Sequence, residues 1–285
     1  LTKIKGMISR LTVLNKEILK SESFECGIRF GWNKRRNLPQ YRVVGGLNAA
    51  PGDFPWQVSL IKNGKHHCGG AIIAPKWVVT VAHCLKNLRE KNNLKILAGT
   101  IDVQNEYRHG SIYNIEKFIV HENFIHKHYL NDIALIKLSS EIKINKGDDN
   151  GRGSVAPICL PVSNAIYRGN ATISGWGALA WKGKRPRNLH AVDVQIIDDK
   201  YCRLSPKRIY DFDRHLCAGH LKGGKDACGG DSGSPLVTLI NGKAVLIGLV
   251  AYGKKCAMPN APGVYTEVAF FRKWIEWKTE LSFPK

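Results

Sequence analysis

Ser232, His83 and Asp132 are the residues of this 285-residue chain whose types could do chemistry together. Ser232 lies in the stretch GKDACGGDSGSP, residues 224–235. A serine hydroxyl is a weak nucleophile at neutral pH and needs a base to take its proton. Gly229, Gly230 and Gly233 flank it. Glycine lets the backbone turn sharply, so N–H groups can be aimed at the oxyanion that forms when a carbonyl is attacked. His83 closes VVTVAHC, residues 78–84, where a β-branched run gives way to a turn. An imidazole titrates near neutrality and can accept and return a proton. Asp132 opens the apolar run NDIALIKL, residues 131–138. A charge beside buried apolar residues is costly unless paired. An imidazole N–H is a suitable partner, and the pairing would fix the tautomer of His83. Each piece alone has a plainer reading: a tight glycine turn, a core or surface histidine, a strand-edge cap. Together, in the order His, Asp, Ser, they point to acyl transfer through a serine nucleophile.

Short apolar runs must position these residues. They include 56–61, 71–82, 94–99, 134–138 and 244–253, with turn residues between them and 28 glycines in the chain. Such spacing predicts a barrel or sandwich. The length and 44% hydrophobic content are ample for a core. The segment 268–281 carries Phe271, Trp274, Ile275, Trp277 and Leu281 at helical spacing, which predicts a helix packed on the second half of the chain.

The motifs VVGG, TVAHC, DIALIKL, GDSGSP and PGVYTEV are highly specific. In them the chain resembles the chymotrypsin-family, trypsin-like serine proteases from Val43 to its C-terminus. The resemblance implies an all-β fold of two six-stranded antiparallel barrels with the active site in the cleft between them and a C-terminal helix. It implies that Ser232 attacks, that His83 is base and then acid, that Asp132 orients it, and that Gly230 and Ser232 donate the oxyanion-hole N–H groups. Asp226, six residues before Ser232, would lie at the base of the primary pocket, which Gly253 and Gly263 leave open. Cleavage would then follow Arg or Lys. Tyr129 would wall the neighbouring pocket, and Tyr252 and Gly253 would offer backbone groups to an extended substrate strand.

Eight cysteines in a chain of this size suit an oxidising compartment. No CxxC pair exists, which argues against zinc. The resemblance assigns Cys68–Cys84, Cys202–Cys217, Cys228–Cys256 and, as in two-chain relatives, Cys26–Cys159. A further bridge common in the family is absent, with Ala171 and Thr238 at its two positions.

Residues 1–42 differ in character and read as a propeptide or light-chain segment before the protease domain of residues 43–285. They hold ten Lys/Arg and three Glu, a net +7. Ile4, Ile8, Leu11 and Ile18 allow a short amphipathic helix; a solvated stalk fits equally. Cutting after Arg42 would free the α-amino group of Val43. In this family that cation pairs with the carboxylate beside the serine, here Asp231, so the intact chain reads as a zymogen. Leu1 is not an initiator methionine and no signal peptide is visible, so the chain reads as a trimmed or partial form.

Asn170-Ala-Thr172 is an N-glycosylation sequon, meaningful if the protein is secreted into the extracellular space. No cofactor or metal is expected: Thr100 follows Gly99 where calcium-binding relatives place acids, and His121, His126 and His128 read as exposed loop residues. Four residues depart from the family pattern: Val81, Ser234, Tyr252 and Ala251. Ala251 stands where a serine usually hydrogen-bonds the triad aspartate, a bond worth about 1.5–3 kcal/mol.

The net charge is +20, of which +13 falls on residues 43–285. Lys182, Lys184, Arg185, Arg187, Arg203, Lys207, Arg208, Lys222, Lys225, Lys254 and Lys255 fall on loops expected to rim the cleft. Such a field favours acidic partners. The partners implied are a protein substrate, an activating protease, protease inhibitors of the serpin or another type, and an acidic sulfated glycan. Nucleic acid is disfavoured, because no aromatic-interleaved binding motif is present. No run of about 20 apolar residues could span a membrane. The leading reading is a secreted endopeptidase. The alternative is a protease-like binding protein with weak catalysis that acts through its basic surface.

Overall fold

A computed structural model describes residues 24–30, 46–86, 93–104, 110–202 and 210–284. Arg42, Val43, Arg203, Lys207, Arg208 and the helix-spaced Ile4, Ile8, Leu11 and Ile18 lie outside them.

Fourteen strands are described: β1 (Leu47–Asn48), β2 (Gln57–Lys62), β3 (Lys65–Ala74), β4 (Trp77–Thr80), β5 (Leu94–Ala98), β6 (Ser111–Tyr113), β7 (Ile115–Val120), β8 (Ala134–Leu138), β9 (Gly169–Gly175), β10 (His190–Ile197), β11 (His215–Gly219), β12 (Pro235–Ile240), β13 (Lys243–Tyr252) and β14 (Gly263–Glu267). One helix, α1 (Val268–Thr279), follows them. The strands form two all-antiparallel sheets, consecutive in sequence apart from β1.

Two hairpins are set by their turns. Asn63-Gly64 joins β2 to β3 and Asn241-Gly242 joins β12 to β13, all four residues at positive φ. The register pairs Lys62 with Lys65 and Ile240 with Lys243. Two-residue Asn-Gly turns of this kind match the twist of the strands they join.

In the second sheet β9 pairs with both β10 and β12, so β9–β10–β11–β14–β13–β12 closes into a six-stranded barrel. The short β1 pairs with the end of β10 that β11 leaves open. The first sheet runs β6–β5–β2–β3–β4–β8–β7. Its two edge strands are one stretch of chain broken only at Asn114, so the sheet curls back toward its own start. The expected six-plus-six architecture is the one found, with the sixth strand of the first unit divided. Ile72, Val78, Val79, Leu135 and Ile136 are wholly buried in that unit. The same apolar cluster includes Trp176, Leu189 and Ala191 from the second unit, so the core is continuous across the interface.

All four expected disulfides are formed: Cys26–Cys159, Cys68–Cys84, Cys202–Cys217 and Cys228–Cys256. Residues 24–30 are docked beside the first of them. The Gly27 N–H donates to the Pro157 carbonyl at 2.8 Å, and the Ala244 N–H donates to the Gly27 carbonyl at 2.9 Å. Gly27 has φ +73°, and a Cβ there would sit 2.6 Å from the Ala244 oxygen. Only glycine fits both demands.

The helix corrects one expectation. Phe271 and Ile275 are buried, but Trp277 is 67% exposed, with the Lys278 ammonium over its ring. Trp274 and Lys278 bind Glu122 instead, which ties the helix to the first unit as well as to the second. His121 is likewise no exposed loop residue, since its ring packs on Phe271 and Trp274. Arg272, although buried, donates to the carbonyls of Leu160, Pro161 and Phe283 and pairs with Glu276.

Candidate active site

Strands β4 and β8 are neighbours, with Thr80 opposite Ala134. His83 follows β4 on a short 3-10 turn, Ala82–Cys84, and Asp132 precedes β8 by two residues. Pairing of the strands therefore brings the two side chains together. Asp132 is fully buried. Its Oδ2 accepts from His83 Nδ1 at 2.6 Å, and its Oδ1 accepts the His83 backbone N–H at 2.8 Å. A carboxylate only accepts, so the proton sits on Nδ1, and Nε2 of the neutral ring is free to take another. The Thr266 hydroxyl, from β14, donates to the Asp132 carbonyl at 2.8 Å. Ala251 is buried and brings no hydroxyl to the carboxylate, as its sequence position implies.

The Ser232 loop is stitched to both units. The Gly69 N–H of β3 donates to the Ser232 carbonyl at 2.8 Å, and the Cys84 sulfur lies 3.7 Å from that oxygen. On the other side the Gly233 N–H donates to Val250 of β13 at 2.8 Å. Ser232 is thus held against the residue that follows His83. Among the described residues its hydroxyl makes no hydrogen bond. Contacts between nucleophile and base are often long before substrate binds.

Gly230 has φ +109°, a backbone state that a side chain would strain. Its carbonyl accepts from His66 Nε2 at 2.9 Å, and His66 Nδ1 accepts the Ser59 hydroxyl at 2.6 Å. Burial is the main force that lowers the His66 pKa to about 4, so the ring stays neutral in this role. Nothing in the sequence beyond its place two residues before Cys68 marks His66, and the sequence reading missed it. It missed His215 as well. That buried imidazole accepts the Asp211 N–H and donates to the Tyr129 carbonyl at 3.0 Å. Tyr129 is at φ +56°, and its ring lies 5.3 Å from that of His83 and 5.2 Å from that of Tyr252. Tyr129 therefore flanks His83, and Tyr252 packs on Tyr129.

Asp226 accepts from the N–H groups of Ala227 at 2.8 Å and Ala257 at 3.2 Å. Burial raises its pKa to about 7, and those two bonds oppose the rise only in part. A Cβ on Gly263 would lie 2.6 Å from its Oδ1, and Gly253 is close to Gly263. Gly263 borders the carboxylate directly, and Gly253 lies behind Gly263. Asp231 is buried beside it. It accepts from Gly177 at 2.7 Å and Cys228 at 2.9 Å, and burial raises its pKa also. Both carboxylates line a cavity of about 230 Å³ that reaches Gly46, three residues beyond Val43.

Ser234 is buried between Gly69 and Gly175, and its hydroxyl has no partner among the described residues. Asn170 is exposed on β9, and the sequon hydroxyl of Thr172 donates to Asp193 at 2.7 Å. No group of three or more His, Cys, Asp or Glu able to hold a metal ion occurs among the described residues. No described helix is long and apolar enough to cross a membrane.

The arrangement offers an oriented imidazole beside a glycine-flanked serine turn, and two buried carboxylates that line a cavity next to that turn. Comparisons with known proteins agree with that chemistry. The sequence model of the family described as Trypsin matches residues 43–275. Trypsin-1 of Astacus astacus is 36% identical over 240 residues, which cover 82% of this chain and 98% of that protein.

Proposed function

The chain belongs to the trypsin family of serine proteases, and on that premise we propose that it is an endopeptidase that cuts after Arg or Lys and is made as a zymogen. The observation that carries the reading is the buried His83–Asp132 pair at the flank of the Ser232 turn. In the proposed reaction His83 Nε2 takes the Ser232 hydroxyl proton as the oxygen attacks the scissile carbonyl. The N–H groups of Gly230 and Ser232 hold the oxyanion. The imidazolium, steadied by Asp132, then protonates the leaving amine. Water repeats the sequence on the acyl-enzyme. Asp226 selects a cationic side chain through a charge-assisted hydrogen bond.

The activation step is read from Asp231. Among the described residues its hydrogen bonds come from two backbone N–H groups alone. A buried carboxylate without a cation is costly. The α-amino group of Val43, freed by a cut after Arg42, would supply that cation through the adjoining cavity. Residues 1–42 are then a propeptide held by Cys26–Cys159. Secretion and glycosylation at Asn170 belong to the same proposal.

One experiment tests the core of it. Protein cut after Arg42 is exposed to a serine-directed fluorophosphonate. Wild type is expected to label and turn over Arg peptides, whereas Ser232→Ala does neither, with kcat down by on the order of 10⁴–10⁶. Arg42→Gln, which resists the cut, should stay inactive. Labelling that persists in Ser232→Ala would remove the reading.

A further inference from the structure

We propose that Arg185 makes the leaving-group side of the cleft selective for acidic residues, so that the bonds cut fastest carry Glu or Asp at the first or second position after the scissile bond. The inference rests on the proteolytic reading above.

Arg185 lies on the basic loop between β9 and β10, in the second unit, and its side chain crosses to the first. Its Nη1 donates to the His66 carbonyl at 2.9 Å. A Cβ placed on Gly230 would lie 2.7 Å from Arg185 Nε and 3.0 Å from its Cζ. The guanidinium therefore covers the open face of the glycine proposed to hold the oxyanion.

The cleft has two sides about Ser232. Asp226, Gly263, Gly253 and Tyr252 lie on one, where the residue that gives up its carbonyl would seat its side chain. The chain beyond the scissile bond must leave by the other. That wall consists of the Cys68–Cys84 disulfide, His67, whose Nε2 bonds the Cys84 carbonyl, and then His66 with Arg185 across it. Lys62 and Arg185 both act electrostatically on His67, and Arg185 also acts on His66 and Asp231.

Its neighbour in sequence makes the contrast. Arg187 is held by Asp102 through a two-pronged pair at 2.7–3.0 Å. Among the described residues the one hydrogen bond of Arg185 goes to a neutral carbonyl, and its side chain is exposed. A guanidinium has five N–H donors in a fixed fork that matches a carboxylate. Among the described residues only Nη1 of that fork is engaged, which leaves its other N–H donors for a carboxylate on the departing chain.

The test uses chain cut after Arg42 and internally quenched peptides with a single Arg. The first and the second residue after it are varied in turn among Glu, Gln and Lys. For wild type, kcat/KM with Glu should exceed that with Lys by about tenfold at low salt at one or both positions, and the ratio should shrink at 0.5 M salt. In Arg185→Gln the ratio should fall to within about twofold of unity, and in Arg185→Glu it should invert. A wild-type ratio near unity at both positions, or one unchanged in Arg185→Gln, overturns the proposal. An Arg-aminomethylcoumarin substrate, which has no residues beyond the scissile bond, separates the two failures. If it is turned over while no preference is seen, this inference alone falls. If it is not turned over and the fluorophosphonate does not label, the proteolytic reading falls with it.

Discussion

Asp132, in the first unit, is fully buried and met by an imidazole N–H and a backbone N–H from the same residue. Asp226 and Asp231, in the second, are met among the described residues by backbone N–H groups alone, and burial holds both pKa values above the usual carboxylate range. The first unit thus carries a charge whose partner is built in. The second carries two whose partners come from elsewhere: under the proposed function, a substrate side chain for Asp226 and the Val43 amino group for Asp231. The cost of a buried, unpaired carboxylate becomes binding energy for a cation when one arrives.

The largest test of that contrast is Asp226→Ser. It removes a charge that meets its partner in a desolvated pocket, so kcat/KM on Arg peptides should fall by on the order of 10²–10³. The preference for Arg over a neutral residue of similar length should vanish. Retained preference, measured with paired peptides, would sink the assignment of the pocket.

The second test is pH. Because the folded pKa of Asp226 is about 7, against 3.8 for the free side chain, the folded state holds this proton more tightly than the unfolded chain does. Its contribution to stability is therefore present below about pH 4 and lost as pH rises toward 7. Benzamidine, a small aryl cation, should restore that loss. Its affinity should fall about tenfold per pH unit below about 7, as protonation removes its partner. Calorimetry at pH 5 and pH 8 reads both effects, and equal benzamidine affinity at the two values would contradict the shifted pKa.

A smaller change would sharpen the other side of the comparison. Ala251→Ser should return a hydroxyl donor to Asp132. A hydrogen bond to a charged group is worth about 1.5–3 kcal/mol. Only part of that should reach the transition state, so we expect kcat to rise by about three- to tenfold. Unchanged kcat with unchanged stability would mean that the new hydroxyl does not reach the carboxylate.

The smallest effect concerns Ser234, whose buried hydroxyl has no partner among the described residues. Ser234→Ala keeps the volume and removes the unmet group, so stability should rise by about 1 kcal/mol. Denaturant unfolding measures it, and a loss of stability would show that the hydroxyl is satisfied after all.

Much of this was legible in the sequence, for physical reasons. TVAHC and DIALIKL are strand ends whose apolar runs lock the register, and the register of β4 with β8 brings His83 to Asp132. Gly233 beside Ser232 and Gly263 opposite Asp226 are demanded by close approaches, since a Cβ would lie 2.3 Å from the Thr80 hydroxyl in the first case and 2.6 Å from Asp226 Oδ1 in the second. What could not be read were contacts made by residues of ordinary type across units. His66 reaches Gly230 over 164 residues, and Arg185 reaches His66 over 119. Nothing local distinguishes them from other exposed or half-buried basic residues. Trp277 fails for the opposite reason. Its helical spacing looked like a core position, but Phe271 and Ile275 already fill the buried stripe.

The docking of Gly27 against Ala244, beside the Cys26–Cys159 bridge, has a consequence for what maturation can release. A single cut after Arg42 would change the number of chain ends without changing the mass that diffuses as one particle. The cationic leader would travel with the enzyme and contribute to whatever surface the mature molecule adheres to. Only a reductant would let it go, so two gel bands should separate with thiol and run as one without it.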